Sequence, residues 1–163
     1  MQRNKSLIAK ENQYLRKIQA KLRGDEASFF SPYLYDVMTN LGSGSVYVLA
    51  RDQKSQAVSK TLRQYIVAHK DQEPNAVHRA HLEIERLKSL LSKYCVQMSD
   101  VLFDNLCVQE LADGRIQLMI IDGIGHRDFI KLFDYASWYA SIRIETKFKK
   151  LALDKLQLLY QEA

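Results

Sequence analysis

An aspartate and an asparagine stand five positions apart at Asp100 and Asn105, inside Met98-Ser-Asp-Val-Leu-Phe-Asp-Asn-Leu-Cys-Val, and Ile120-Ile-Asp-Gly-Ile-Gly follows a short way on. An exposed acid, an amide with an available oxygen, a strand, a tight hairpin, a second strand and then Asp-Gly is an order suited to phosphoryl transfer. In that chemistry one acid orients the attacking group, while an amide and a second acid hold magnesium on the nucleotide phosphates. Asp100 can accept a hydroxyl proton or orient a nucleophile from a loop. Asn105 can offer a carbonyl oxygen to a hard cation, and Asp122, between a buried strand and Gly123, projects a carboxylate past the strand's end. The same residues also have a purely local reading, in which Asp100 caps a turn, Asn105 bonds its own backbone and Asp122 closes an Asx-turn.

The elements that must position these residues follow from periodicity. Residues 4–23 read as an amphipathic helix, with Ile8, Leu15, Ile18 and Leu22 on one stripe and Gly24 placed to end it. Tyr33-Leu-Tyr-Asp-Val and Ser45-Val-Tyr-Val-Leu-Ala are β-prone runs joined by the glycine-rich Asn40-Leu-Gly-Ser-Gly turn. A short helix over 57–69 would bury Leu62, Tyr65 and Ile66, and a longer one after Pro74 carries Ala80, Ile84, Leu87, Leu91 and Tyr94 at helical spacing. Leu106-Cys-Val and Ile116-Gln-Leu-Met-Ile-Ile then form strands around Asp113-Gly114, which reads as a two-residue hairpin turn. A last helical region over 135–160 takes Trp138, Ile142, Leu151 and Leu159 as inward anchors. The order is helix, hairpin, helix, helix, hairpin, helix: an α+β protein.

Composition narrows the function classes. The 163 residues are enough for one domain with its own core, and 47% hydrophobic with 26% charged residues is ordinary for a globular chain. Two prolines and six glycines argue against long linkers. Cys95 and Cys107 have no His or Cys partner at finger-like spacing, so buried free thiols in a reducing cytoplasm are expected. His69, His78, His81 and His126 show no zinc-like pattern either, and solvent-facing rings are the expectation. No apolar run approaches the ~18 residues of a membrane span. The +5 charge gathers in Lys5–Arg23 and Arg143–Lys155, read as solvated helix faces or anion-attracting ones. His126-Arg-Asp128 spells a kinase-like triplet, but Phe133 sits where its asparagine belongs.

The same patches carry a resemblance. Lys10-Glu-Asn-Gln-Tyr-Leu, Asn40-Leu-Gly-Ser-Gly-Ser-Val-Tyr-Val-Leu-Ala-Arg-Asp, Met98-Ser-Asp to Val108, Ile120-Ile-Asp-Gly-Ile-Gly, and Trp138 with the basic helix behind it occur in an order that resembles the PhoP regulatory network protein family, the YrbL-like group of small bacterial kinase-like proteins. The resemblance covers about residues 5–150. It implies a truncated protein-kinase-like α+β fold over 1–163, with a reduced N-terminal sheet and helix in 1–55 and a mainly helical C-terminal lobe with a β-hairpin in 56–163. Asp100 then takes the place of the catalytic aspartate, and Asn105 and Asp122 those of the magnesium ligands. Glu11 takes that of the helix glutamate that orients a strand lysine on the nucleotide. The implied cofactors are Mg²⁺ and ATP, with a protein or small molecule as phosphoacceptor.

The departures are equally specific. Leu102 replaces the lysine two positions after the catalytic aspartate, Met98-Ser99 replace His-Arg, Gly123 follows Asp122 without the phenylalanine, and no Ala-Pro-Glu follows. With ten residues ahead of Glu11, the first strands, the phosphate-covering glycine loop and the strand lysine are expected to be missing. Leu41-Gly-Ser-Gly-Ser-Val-Tyr looks locally like such a loop, but Tyr47 occupies the third glycine's place and an ordinary hairpin turn is expected. These losses imply weak or no turnover, because phosphoryl transfer depends on positioning and charge neutralisation. The alternatives are a non-catalytic protein-interaction module and, less favoured for want of an aromatic-interleaved basic motif, a nucleic-acid-binding protein.

Overall fold

In the computed structural model the described residues are 12–20, 22, 29–69, 75–124 and 137–162. Helix α1 spans 12–20, and an antiparallel ribbon pairs β1 (Tyr33–Thr39) with β2 (Gly42–Tyr47). A second sheet of order β3-β4-β5 contains β3 (Lys60–Thr61), β4 (Leu106–Glu110) and β5 (Ile116–Ile120). Four more helices are described: α2 (Leu62–Ala68), α3 (Ala76–Lys93), α4 (Ser137–Phe148) and α5 (Leu153–Glu162). This is the mixed α and β composition that periodicity predicts. Glu11, the start of the expected first helix with Lys5 and Ile8, Gly24, and His126 to Asp128 lie outside the described residues. Trp138 falls in α4, its side chain outside the described part.

One buried cluster runs from Leu15 and Ile18 through Phe29, Leu62, Ile84, Leu91, Leu106 and Leu118 to Leu156, so both ends of the described chain share a core. Helix α3 is its spine. Its Ala80, Ile84, Leu87 and Leu91 stripe is buried, and the helix packs against β5, α4 and α5. Burial of Lys88 alone would lower its pKa. The carboxylates of Glu145, at 2.9 Å, and Glu85 outweigh that and raise it, tying α3 to α4.

The 57–69 helix begins later than its periodicity predicts, and the cap shows why. Thr61 Oγ1 accepts from the Gln64 N–H while Gln64 Oε1 accepts from the Thr61 N–H, a capping box that starts α2 at Leu62. The residues before it are taken by strand pairing: Val58 bridges Arg51, and Lys60 and Thr61 pair with Val108 and Cys107 of β4. Leu62, Tyr65 and Ile66 are buried as expected. Three further expectations are corrected. The second strand of the ribbon is Gly42–Tyr47 rather than 45–50, because Val48 already bonds the Pro32 carbonyl and Ala50 accepts from Ser59. Asp113-Gly114 belongs to a three-residue connection, Ala112 to Gly114, in which Leu111 N–H bonds the Arg115 carbonyl and Gly114 sits at φ +83°. Ile142 is 54% exposed, whereas Leu151 is buried and Leu159 half-buried, because Ile144 and Phe148 provide the inward face of α4.

The β4–β5 hairpin is covered on both faces. Leu106, Val108, Ile116, Leu118 and Ile120 enter the main core, while Cys107 and Met119 pack with Ala50 beneath the connector between β2 and β3. That connector is fastened by the buried Asp52, whose Oδ1 accepts from Ser59 Oγ at 2.8 Å and from the Glu110 N–H at 3.1 Å. Cys107 is buried and Cys95, just past α3 at φ 52°, is half-buried; both are free thiols.

Truncating Leu87 to alanine should cost about 2–5 kcal/mol, the range for emptying a packed core site. Ile142→Ala should stay within about 0.5 kcal/mol. Urea denaturation of both variants checks the placement of each residue. Burial, reinforced by the charge of Asp52, pushes the Cys107 thiol from 9.0 up to about 11. The folded chain therefore keeps this proton where the unfolded chain has released it. Its stabilising effect is full below pH 9 and is lost as pH rises from 9 towards 11. An alkaline melting series should show Cys107→Ala with a shallower loss than wild type over that window.

Candidate functional site

The β4–β5 hairpin positions two of the three predicted residues by its register. Five pairs run from Leu106↔Ile120 to Glu110↔Ile116, and beyond them the Ile121 N–H donates to the Asn105 carbonyl at 3.0 Å. Asn105, the last residue of the 3₁₀ turn Phe103–Asn105, thus enters the hairpin opposite Ile121, one residue from Asp122 where the hairpin leaves.

Asp100 reaches the same place from the segment after α3. Met98 bridges Ile124 in antiparallel fashion, and Ser99 donates to the Gly123 carbonyl twice, through its N–H at 2.7 Å and its Oγ at 3.2 Å. Asn105 Nδ2 donates to the Asp100 carbonyl at 3.4 Å, which turns the amide so that its oxygen is the group remaining for a cation. Gly123 closes the assembly at φ +80°, and a Cβ there would lie 2.7 Å from the Asp100 carbonyl oxygen and 3.4 Å from Asn105 Nδ2. The first figure is a clash with backbone, so only glycine fits. The loops carrying Asp100, Asn105 and Asp122 are therefore in direct contact.

Their side chains differ in surroundings. Asp122 is exposed, and its Oδ1 accepts from the Gly123 N–H at 2.6 Å, which retains one feature of the local reading. It lines a small cleft of about 80 Å³ together with Leu15, Ser31, Tyr47, Ile120, Ile121 and Ile124. Asp100 and Asn105 do not line that cleft; they meet the Asp122 segment through Gly123. The Asp100 carboxylate lies 3.6 Å from Lys150 Nζ, and Lys147 Nζ donates to the carbonyls of Met98 and Ser99. Asp104, between the site residues in sequence, instead takes Arg63 at 3.0 Å. Tyr47, which lines the cleft, is held from α1: Asn12 donates to Ser45 Oγ and Asp36 Oδ1 and accepts from Tyr47 OH.

Two carboxylates and a carboxamide are hard oxygen donors that suit magnesium and not a soft metal. Among the described residues no group of three or more His, Cys, Asp and Glu gathers as an all-protein metal cage. A cation here would have to share its shell with water and a ligand's phosphate oxygens, with Asn105 and Asp122 as the protein donors. Periodicity could not find Lys147 and Lys150, because about fifty residues separate each from the loop it touches.

The family model described as PhoP regulatory network protein YrbL matches residues 1–156. No curated protein and no solved structure matches the chain. Among the described residues no helix is long and apolar enough to cross a membrane.

Replacing Gly123 by alanine should destabilise the fold by roughly 2 kcal/mol or more, through a left-handed φ and a backbone clash together. Gly44→Ala, on the ribbon with its nearest neighbour at 3.9 Å, should change far less. Urea titration of the two variants measures the difference.

Proposed function

The chain belongs to the family of the PhoP regulatory network protein YrbL, and from that premise we propose that it is a regulatory protein with a kinase-like site for a magnesium-bound nucleotide. The contact of the Asp100 loop with Asn105 and the Asp122-Gly123 turn carries this reading. The element order supports it: a helix against a β-ribbon, two helices, an Asp-x₄-Asn loop, a β-hairpin and then Asp-Gly is the succession found in the catalytic half of protein kinases. Asp100 would take the proton of an acceptor hydroxyl as its oxygen bonds to the γ-phosphorus. The bond from that phosphorus to the β–γ bridging oxygen breaks, and ADP leaves. Magnesium on Asn105 and Asp122 would neutralise phosphate charge.

Turnover should be slow. The cleft beside Asp122, about 80 Å³, is well below the several hundred Å³ of an enclosing nucleotide pocket. Leu102 also leaves the position two residues after Asp100 uncharged. The regulatory signal is then the nucleotide-bound state itself, in the cytoplasm, where free Cys95 and Cys107 would persist.

One observation favours a second reading, a non-catalytic docking module. The ribbon leaves Leu34, Tyr35, Val37, Met38 and Leu41 exposed, more apolar surface than a two-stranded ribbon needs for its own sake. On that reading Asp100→Ala and Asp122→Ala leave biological activity unchanged.

Thermal melting with Mg²⁺ and ATP separates the two. At a nucleotide concentration of about a hundred times Kd, wild type should gain about 2.7 kcal/mol, a rise of roughly 5–10 °C for a chain this size. Asp122→Ala should show no rise above its own ligand-free Tm. A wild type that does not respond up to millimolar Mg·ATP would rule out the nucleotide site and leave the docking module.

A further inference from the structure

Phosphoryl transfer needs a cation near the transferred group, and the residue two positions after Asp100 is Leu102, with no charge to offer. A different stretch of chain places a lysine at the same aspartate. Lys150 lies in the 3₁₀ turn Lys149–Leu151 that follows α4, and its Nζ is 3.6 Å from Asp100 Oδ1. We propose that Lys150 is the phosphate-facing cation of this site, supplied from the C-terminal basic segment in place of the charge that Leu102 lacks. The proposal rests on the nucleotide reading above and names a further residue of that site.

Three observations carry it. The turn is anchored: Leu151 is fully buried beside Lys150, and one turn earlier Lys147 Nζ holds the carbonyls of Met98 and Ser99. The backbone under Lys150 is therefore fastened to the very loop that presents Asp100. Stability does not account for the pair. The two side chains are 64% and 47% exposed, and an open ion pair of this kind contributes little to folding. Finally, the ammonium sits on a long, exposed stem, so it can leave the Asp100 carboxylate for a phosphate without disturbing the core. Lys147 cannot play this part while its ammonium is held by two carbonyls.

In the ligand-free protein Lys150 pairs with Asp100. With Mg·ATP bound, it moves onto the terminal phosphoryl group and leaves the carboxylate to the acceptor hydroxyl. A cation that meets only the third phosphate distinguishes ATP from ADP, and this is where the test lies.

Calorimetric titration of the full chain with Mg·ATP and with Mg·ADP, for wild type, Lys150→Met and Lys150→Arg, reads that distinction. Lys150→Met should lose roughly tenfold in Mg·ATP affinity, a loss typical of one charge-assisted contact, and about twofold or less for Mg·ADP. Lys150→Arg should recover most of the loss. The ligand-free Tm should stay within about 1 °C of wild type, since an exposed ion pair is all that is removed. If wild type binds both nucleotides and Lys150→Met weakens both alike, or neither, Lys150 is only a surface partner of Asp100 and the proposal fails while the nucleotide site stands. If wild type binds neither, and Asp122→Ala matches it, the nucleotide reading falls and the proposal with it.

Discussion

The Asp122-Gly123 turn lies so close to the backbone of Asp100 that position 123 has no room for a Cβ. Around that contact the rest of the site is arranged. Ser99 reaches the Gly123 carbonyl with both its N–H and its hydroxyl, and Asn105 crosses to the Asp100 carbonyl. The Ser99 bonds join the Asp100 segment to the Gly123 turn, and the Asn105 bond adds the third loop. A larger residue at 123 would push them apart, and with them the two carboxylates and the amide.

What holds the segments in register is less local. Asn105 and Asp122 are brought opposite each other by a five-pair hairpin whose two faces are both buried, one against α3 and the main core and the other beneath the Ala50 connector. A one-residue slip of β4 would turn Leu106 and Val108 away from the main core, so the hydrophobic pattern favours the register on which the site depends. The Asp100 loop is tied down from the other side by Lys147. Paired or anchored segments therefore support every predicted site residue that the structure describes, while the exposed ribbon of β1 and β2 is tied to α1 through the Asn12, Asp36, Ser45 and Tyr47 network.

Membership of a PhoP regulatory network family directs attention to signalling rather than metabolism. At the site three oxygen-bearing loops meet, and lysines from α4 and from the 3₁₀ turn behind it reach the first of them. The exposed apolar ribbon is a separate surface of the same molecule.

Much of the architecture was legible in the sequence because it rests on short-range physics. The α3 stripe, the two hairpins, and the spacing of Asp100, Asn105 and Asp122 follow from side-chain period and turn chemistry over a few residues. Where local signals competed, reading them singly failed. The 57–69 helix lost its first turn to pairing with β4, and Ile142 lost its inward place to Ile144 and Phe148, because a helix has one core-facing stripe and neighbours decide which it is. Tertiary structure alone decided that Gly123 abuts Asp100 and that Lys147 and Lys150 meet the Asp100 loop. Contacts between residues far apart in the chain depend on how α3, α4 and the hairpin pack, and no local periodicity records that.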